Sequence, residues 1–516
     1  MDRTLRLPGQ TDRREIVLRL PLYPIILPVG FVIDMWLKTS LDASLLLRPI
    51  VVAVLAAVAL TGAAILFTRD RDKGAVLASL AAVAIVGGDD LRVVALALVA
   101  ICLVVALARR RPTVTKLPPW SRATSLLDLV SVVMLGILTA TAASSFVSPM
   151  LPDSQPDLST RHPAPTSDRP PDIVVILLDA HGREDLLAER YGEDVSEFVA
   201  SLSARGFDVS PRSRSNYMST SLTLTSMFNY AHLSDLTLPM STDPSFGSAL
   251  RSHLDRNKAF ATLRAAGYRI ATVSAGFDGD ALRSADVFID GGQVNELEAV
   301  LITNSILRRT LTTLAPNALP DQVRDRVRWN LSPSNWLPRL VTPGASHDPS
   351  FLFVHVPSPH PPYVFARDGT NRNPDVSFAD NIPDVNQGQA QISALAEAYA
   401  NQLAYVDELT ISAVDEVLLS MPSDCVLIVM SDHGPAVHID WEHLSTTDTD
   451  ERFGTLFAAR TPGSPNLFGD APTPVNLFPT LFNRYLDLRL PMASNSSFIG
   501  VPPRQDLIEI GDPDAQ

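Results

Sequence analysis

The stretch DIVVILLDAHGRED, Asp172–Asp185, decides how the chain folds. Asp172–Leu178 is a continuous apolar run, the pattern of a strand covered on both faces. It ends abruptly in Asp179. Similar runs recur at Arg269–Ser274 (RIATVS), Ser350–Val356 (SFLFVHV), Cys425–Met430 (CVLIVM) and Thr455–Ala459. Helical patterns lie between them, the clearest at Ile392–Ser420. Strands alternating with helices predict an α/β fold whose mostly parallel central sheet is sandwiched by helices. In such folds functional residues gather at the carboxyl ends of the strands.

Four such places carry chemistry. Asp179 terminates the first run and either ligates a metal or caps the next helix. The run Cys425–Met430 leads into Ser431–Asp432–His433–Gly434, which sets a hard oxygen beside an imidazole. That pair suits Zn or Mn better than Ca; the plainer alternative is a capped turn with a satisfied histidine. Asn216–Thr223 (NYMSTSLT) is hydroxyl-rich and precedes an apolar helical run. Its hydroxyls either cap that helix or present a nucleophile where the helix N-terminus favours phosphate. In Pro357–Tyr363 (PSPHPPY), prolines pin His360 just after a strand. A fixed imidazole can bind an anionic oxygen or protonate a leaving group, unless the loop is only structural.

Outward from this region the 516-residue chain changes character. Residues 1–150 hold 16 Lys and Arg against 10 Asp and Glu, whereas the remainder holds 26 against 46 and all ten His. The positive mean hydropathy, +0.14, comes from the first part. Apolar runs at Ile16–Trp36, Pro49–Phe67, Gly74–Gly88, Leu91–Leu107 and Ser125–Phe146 predict a module of five membrane helices over residues 1–148. Asp89–Asp90 turns a tight hairpin between the third and fourth. Basic residues crowd every second loop (Arg3 to Arg14, Arg69 to Lys73, Arg109 to Lys116), which sets the N-terminus inside and delivers the chain outside. Residues 149–171 form a Pro-rich spacer, and 172–516 a soluble domain. The acidic balance argues against nucleic acid as a partner. Two cysteines, Cys102 and Cys425, exclude a disulfide framework and a Cys-rich metal site.

Taken together, DIVVILLDAHGRED, SNYMSTSLTLTSMFN, HVPSPHPPY and VLIVMSDHGP resemble the alkaline phosphatase/sulfatase superfamily. The likeness is to its membrane-bound branch of lipoteichoic acid synthases and phosphoethanolamine transferases. ERFGTLFAARTPG and VNLFPTLFNRYLD look like that family's terminal strand and helix. The resemblance implies an alkaline-phosphatase-like α/β sandwich with one divalent metal, Zn or Mn, on Asp179, Thr220, Asp432 and His433. Thr220 would be the nucleophile, with Ser219 and Ser221 one residue away on either side. His360 would act on the substrate, and Asn216 and His438 would help bind it. The implied activity is transfer of a phosphoethanolamine or phosphoglycerol headgroup through a phospho-threonine. The donor would be a membrane lipid or lipid-linked molecule, and the acceptor an envelope glycan or lipid. Two departures stand out. No Cys or Ser lies in the C/S-x-P-x-R frame of formylglycine sulfatases, and Ala180 replaces their second consecutive Asp. Alternatives are a phosphodiesterase or sulfatase-type hydrolase, and a non-catalytic envelope scaffold. A multi-pass plasma-membrane location with the catalytic domain outside leads to a direct test. A reporter fused after residue 171 should appear outside the membrane; cytoplasmic activity of that reporter would overturn the topology.

Overall fold

The computed structural model describes residues 21–39, 43–86, 120–145, 170–303 apart from 244 and 293, 305, 322–340, 348–372, 389–444, 449–500 and 506–511. The chain divides into two compact units, Met1–Pro149 with Glu296–Ala318, and Met150–Asn295 with Leu319–Gln516.

In the N-terminal unit, α1 (Tyr23–Thr39), α2 (Leu47–Thr68), α3 (Arg71–Val86) and α4 (Trp120–Ser145) correspond to the first, second, third and fifth expected helices. The expected fourth helix, Leu91–Leu107, and the Asp89–Asp90 turn lie outside the described residues, as does the spacer up to residue 169. Two helices, Leu47–Thr68 and a stretch of α4, Thr124–Ala142, are long and apolar enough to cross a membrane. They bury little: Leu55, Leu66, Leu126 and Ile137 are each more than 60% exposed. Such a surface is costly in water and stable against lipid. Pro28 lies inside α1, tolerated as in membrane helices. The free N–H groups of Leu22 and Tyr23 at the start of α1 donate to Asp128 Oδ1 of α4, at 2.7 and 2.9 Å.

The second unit is built on a seven-stranded sheet of β1 (Ile173–Leu178), β2 (Asp208–Val209), β3 (Arg269–Val273), β4 (Val287–Ile289), β5 (Ser350–Val356), β6 (Val426–Met430) and β7 (Phe457–Arg460). The strand order is β2-β7-β6-β1-β5-β3-β4. The five strands from β6 to β4 run parallel, whereas β7 runs antiparallel to β6 and β2 antiparallel to β7. Helices α5 (Glu184–Tyr191), α6 (Ser196–Ala204), α7 (Thr220–Asn229), α8 (Phe246–Asp255) and α9 (Lys258–Ala265) fall between β1 and β3. Next come α10 (Glu296–Thr303), α11 (Gln322–Asn330), α12 (Leu337–Leu340), α13 (Gln389–Ser420), α14 (Asp450–Phe453) and α15 (Leu477–Tyr485). A hairpin of β8 (Ser497–Ile499) and β9 (Ile508–Gly511) ends the described chain.

The unbroken apolar run of β1 now has its reason. Val174, Ile176 and Leu178 pack with Tyr399, Leu403 and Val406 of α13 on one face. Ile173, Val175 and Leu177 pack with Phe228, Phe260 and Phe478 on the other. Period-two alternation thus feeds two cores rather than one core and solvent. Helix α10, expected inside the domain 172–516, groups instead with the N-terminal unit, where Leu297 is buried with Val32, Trp36 and Leu45. The strands β2 and β4, two and three residues long, have no counterpart among the sequence expectations.

Phe478 lies 5.0 Å from the Phe228 ring and 5.7 Å from that of Phe351, fully buried. Phe478→Ala should cost about 3–5 kcal/mol of stability, read from chemical denaturation of the full chain. A loss below about 1 kcal/mol would contradict a close-packed second core.

Candidate active site

Because β1 lies between β5 and β6, the residues following these strands are brought side by side. The register pairs Leu178 with Val356 and Leu177 with Met430, so β1 and its neighbours end at one level. Asp179 follows β1, Ser431–Asp432–His433 follow β6, and Pro357 to Pro362 follow β5. The N-terminus of α7 contributes Thr220, its first helical residue after an extended Ser219.

Asp179, Asp432 and His433 are each at most 1% exposed, and their ligand atoms lie within 4.8 Å of one another. His433 Nε2 sits 3.2 Å from Asp432 Oδ2, 3.6 Å from Asp179 Oδ1 and 3.2 Å from Thr220 Oγ1. The other ring nitrogen, Nδ1, contacts the Gly434 carbonyl at 3.1 Å and so must donate to it. That bond fixes the tautomer and leaves the Nε2 lone pair facing inward. Burial, then Arg452, holds the His433 pKa well below its usual value, so the ring is neutral. Three acceptors therefore converge: one imidazole lone pair and two carboxylate oxygens, Asp179 Oδ1 and Asp432 Oδ2, neither with a hydrogen-bond partner. Burial and the Asp179 charge together push the Asp432 pKa up. Burial would raise Asp179 too, but the neighbouring His360 and the buried His355 outweigh it and draw it down. Buried, unpartnered acceptors facing one another are unfavourable without a cation between them. The donor set, two hard oxygens, an imidazole and a hydroxyl, fits Zn or Mn.

The backbone is shaped around this group. A Cβ on Gly434 would fall 2.0 Å from the Glu451 carbonyl oxygen, so only glycine follows His433 here. Ala180 takes a left-handed φ of +66°, and its N–H donates to Asp432 Oδ1 at 3.3 Å. The position of the second Asp in sulfatase-type sites thus supplies a backbone donor. Ser431 Oγ accepts from the His181 N–H and donates to the His433 carbonyl.

His360 is half-buried, its ring centroid 6.2 Å from that of His433. Its Nδ1 donates to the Pro361 carbonyl at 2.6 Å, which leaves Nε2 for a substrate. Asn216 is not brought to the group. It is fully buried, its Oδ1 accepting from Val475 N–H and its Nδ2 donating to the Ser496 carbonyl, both at 2.9 Å. The expected substrate contact is a clamp between distant backbones. His438 lies outside the three-residue cluster, its Nδ1 3.0 Å from Glu451 Oε2.

Two residues of the site had no place among the sequence expectations. His355, the penultimate residue of β5, is buried with Nε2 3.5 Å from Asp179 Oδ2. Burial alone would lower its pKa; Asp179 raises it above the usual value. Arg452 is buried and donates from Nε to the Met218 carbonyl and from Nη1 to the Gly434 carbonyl, both at 2.7 Å. It ties the segment before Thr220 to the turn after His433. A histidine at a strand end was a visible signal; an arginine inside ERFGTL was not.

A sequence model of the Sulfatase family matches residues 171–459. No curated protein matches the chain. Solved structures that match include the zinc complex of the C-terminal periplasmic domain of EcEptC from Escherichia coli, at 14% identity, covering 68% of this chain and 96% of that one with a TM-score of 0.43. The integral membrane protein lipooligosaccharide phosphoethanolamine transferase A from Neisseria meningitidis matches at 14% identity, 90% and 95% coverage and a TM-score of 0.40. The phosphonate monoester hydrolase of Agrobacterium radiobacter matches at 16%, 62% and 74%, with a TM-score of 0.39.

Electrostatics at the group leads to a test with opposite signs. Stripped of metal, Asp432→Asn should melt higher than the unaltered protein, because one of two facing carboxylates is gone. With Zn or Mn added, the unaltered protein should gain stability through ligand binding and the variant should not. Equal melting of the stripped proteins, or equal metal response, would contradict the arrangement.

Proposed function

The chain belongs to the sulfatase family, and from that premise we propose that it is a membrane-anchored, multi-pass metalloenzyme with its catalytic domain outside the cell membrane. It transfers a phospho-headgroup, of phosphoethanolamine or phosphoglycerol type, from a lipid-linked donor to an envelope lipid or glycan. The observation that carries this reading is the Thr220 hydroxyl at a helix N-terminus, 3.2 Å from His433 Nε2, beside two buried carboxylates that each keep one oxygen without a hydrogen-bond partner.

Asp179, Asp432, His433 and Thr220 would hold one divalent cation. When bound, such a cation stabilises charge on phosphoryl oxygens and lowers the pKa of a neighbouring hydroxyl. Thr220, its hydroxyl proton already given up to solvent, attacks phosphorus through Oγ1 and forms a phospho-threonine as the bond to the leaving alcohol breaks. His360, its Nδ1 committed to Pro361, gives its Nε2 proton to that alcohol. The acceptor hydroxyl then attacks phosphorus, returns its proton to His360 and releases Thr220. The α7 N-terminus favours the anionic group throughout. His438, a third exposed and held by Glu451, supplies an outer contact for the substrate.

Hydrolysis differs only in the acceptor, water replacing a hydroxyl. Exposed apolar helices in the N-terminal unit favour the lipid-linked reading. Formylglycine chemistry lacks its precursor frame, and Ala180 stands where a second Asp would.

Thr220→Ala should lose turnover of a phosphodiester probe by at least about 10³-fold while still binding Zn. Mass spectrometry of the protein from its native host should find a phospho-adduct on Thr220, whose mass identifies the group. Turnover unchanged in the variant, or an adduct on Ser219 or Ser221, would remove Thr220 from the mechanism.

A further inference from the structure

The loop that carries His360 has a donor deficit. Pro357, Pro359, Pro361 and Pro362 lack N–H groups, and the His360 N–H is taken by the Asp179 carbonyl at 2.9 Å. Its carbonyls still need partners, because backbone acceptors are costly to bury unsatisfied. Gln402, fully buried on α13, meets that need. Its Nε2 donates toward the carbonyls of His360 at 3.1 Å, Pro359 at 3.3 Å and Pro362 at 3.4 Å. Its Oε1 accepts from the Val364 N–H at 2.8 Å and the Phe365 N–H at 3.4 Å. The amide orientation is unambiguous, since one end meets only carbonyls and the other only N–H groups.

One turn earlier on the same helix face, the Tyr399 hydroxyl donates to the Ala180 carbonyl at 3.0 Å and accepts from the Gly182 N–H at 3.1 Å. A single helix therefore grips both the turn after Asp179 and the loop of His360. We infer that Gln402 is a positioning residue that sets the His360 imidazole against the metal-binding strand end, by supplying the N–H donors its proline-rich loop lacks. The inference rests on the proposed role of His360 for its effect on turnover, but not for its effect on the loop.

Two measurements on the full chain test it. In protein labelled at the histidine ring carbons, with the His360 signal assigned by its loss in His360→Ala, Gln402→Leu should shift or broaden that signal. Turnover of bis(p-nitrophenyl) phosphate should fall about 10- to 100-fold in kcat with KM unchanged. In the His360→Ala background, Gln402→Leu should add no further loss. Gln402→Glu keeps the acceptor for Val364 and removes the donors, so it should behave as Gln402→Leu does; it carries the test if the leucine variant does not fold. An unmoved His360 signal in a folded, Zn-binding variant, or losses that simply multiply, would overturn the inference. Full turnover in His360→Ala would instead remove His360 from the reaction, with the ring signal still judging Gln402.

Discussion

Two buried carboxylates and an imidazole lone pair aimed at one another form the constraint on which the rest of the site depends. Asp179 Oδ1, Asp432 Oδ2 and His433 Nε2 have no donors among them, so the arrangement is tolerable only around positive charge. Much of the surrounding structure serves to hold them there. The Gly434 carbonyl turns the His433 ring, the Ala180 N–H steadies Asp432, and Arg452 brings a guanidinium to the back of the turn. Thr220 joins the group because Arg452 also holds the carbonyl of Met218, two residues before it.

Strand ends were legible in the sequence because a parallel sheet leaves a double-sided apolar signature. The run at 172–178 feeds alternate residues to two cores, and a polar residue that interrupts such a run stands out. Asp179, Asp432 and His433 are visible for that reason, and the hydroxyls around Thr220 because their segment precedes an apolar helical run. Asn216 was misread for an instructive reason. It sits in the same hydroxyl-rich segment, yet its amide is fixed by Val475 and Ser496, more than 250 positions away in the sequence. His355 is signalled only as a histidine at the end of an apolar strand, and Arg452 lies in a four-residue helix with no pattern to read. Contacts between remote segments leave no local periodicity, so their partners become visible only in three dimensions.

The N-terminal unit presents a different surface. Helix α2 and most of α4 expose leucine, valine and isoleucine that a water-soluble protein would bury. The first N–H groups of α1 have no partner within the helix, and Asp128 of α4 receives two of them. Helices stand at four of the five apolar runs, and among the described residues two of them are long and apolar enough to cross a membrane.

The pairing of β1 with β6 also sets an order of events. The Ala180 N–H and the Asp432 carboxylate that it meets are 252 positions apart in the chain. A nascent polypeptide presents Asp179 early, but its partners arrive only after β5, α13 and β6 have been made and docked. Contacts of such long range form late and slowly. Any cation held by this cluster would therefore be acquired only once these remote segments have docked.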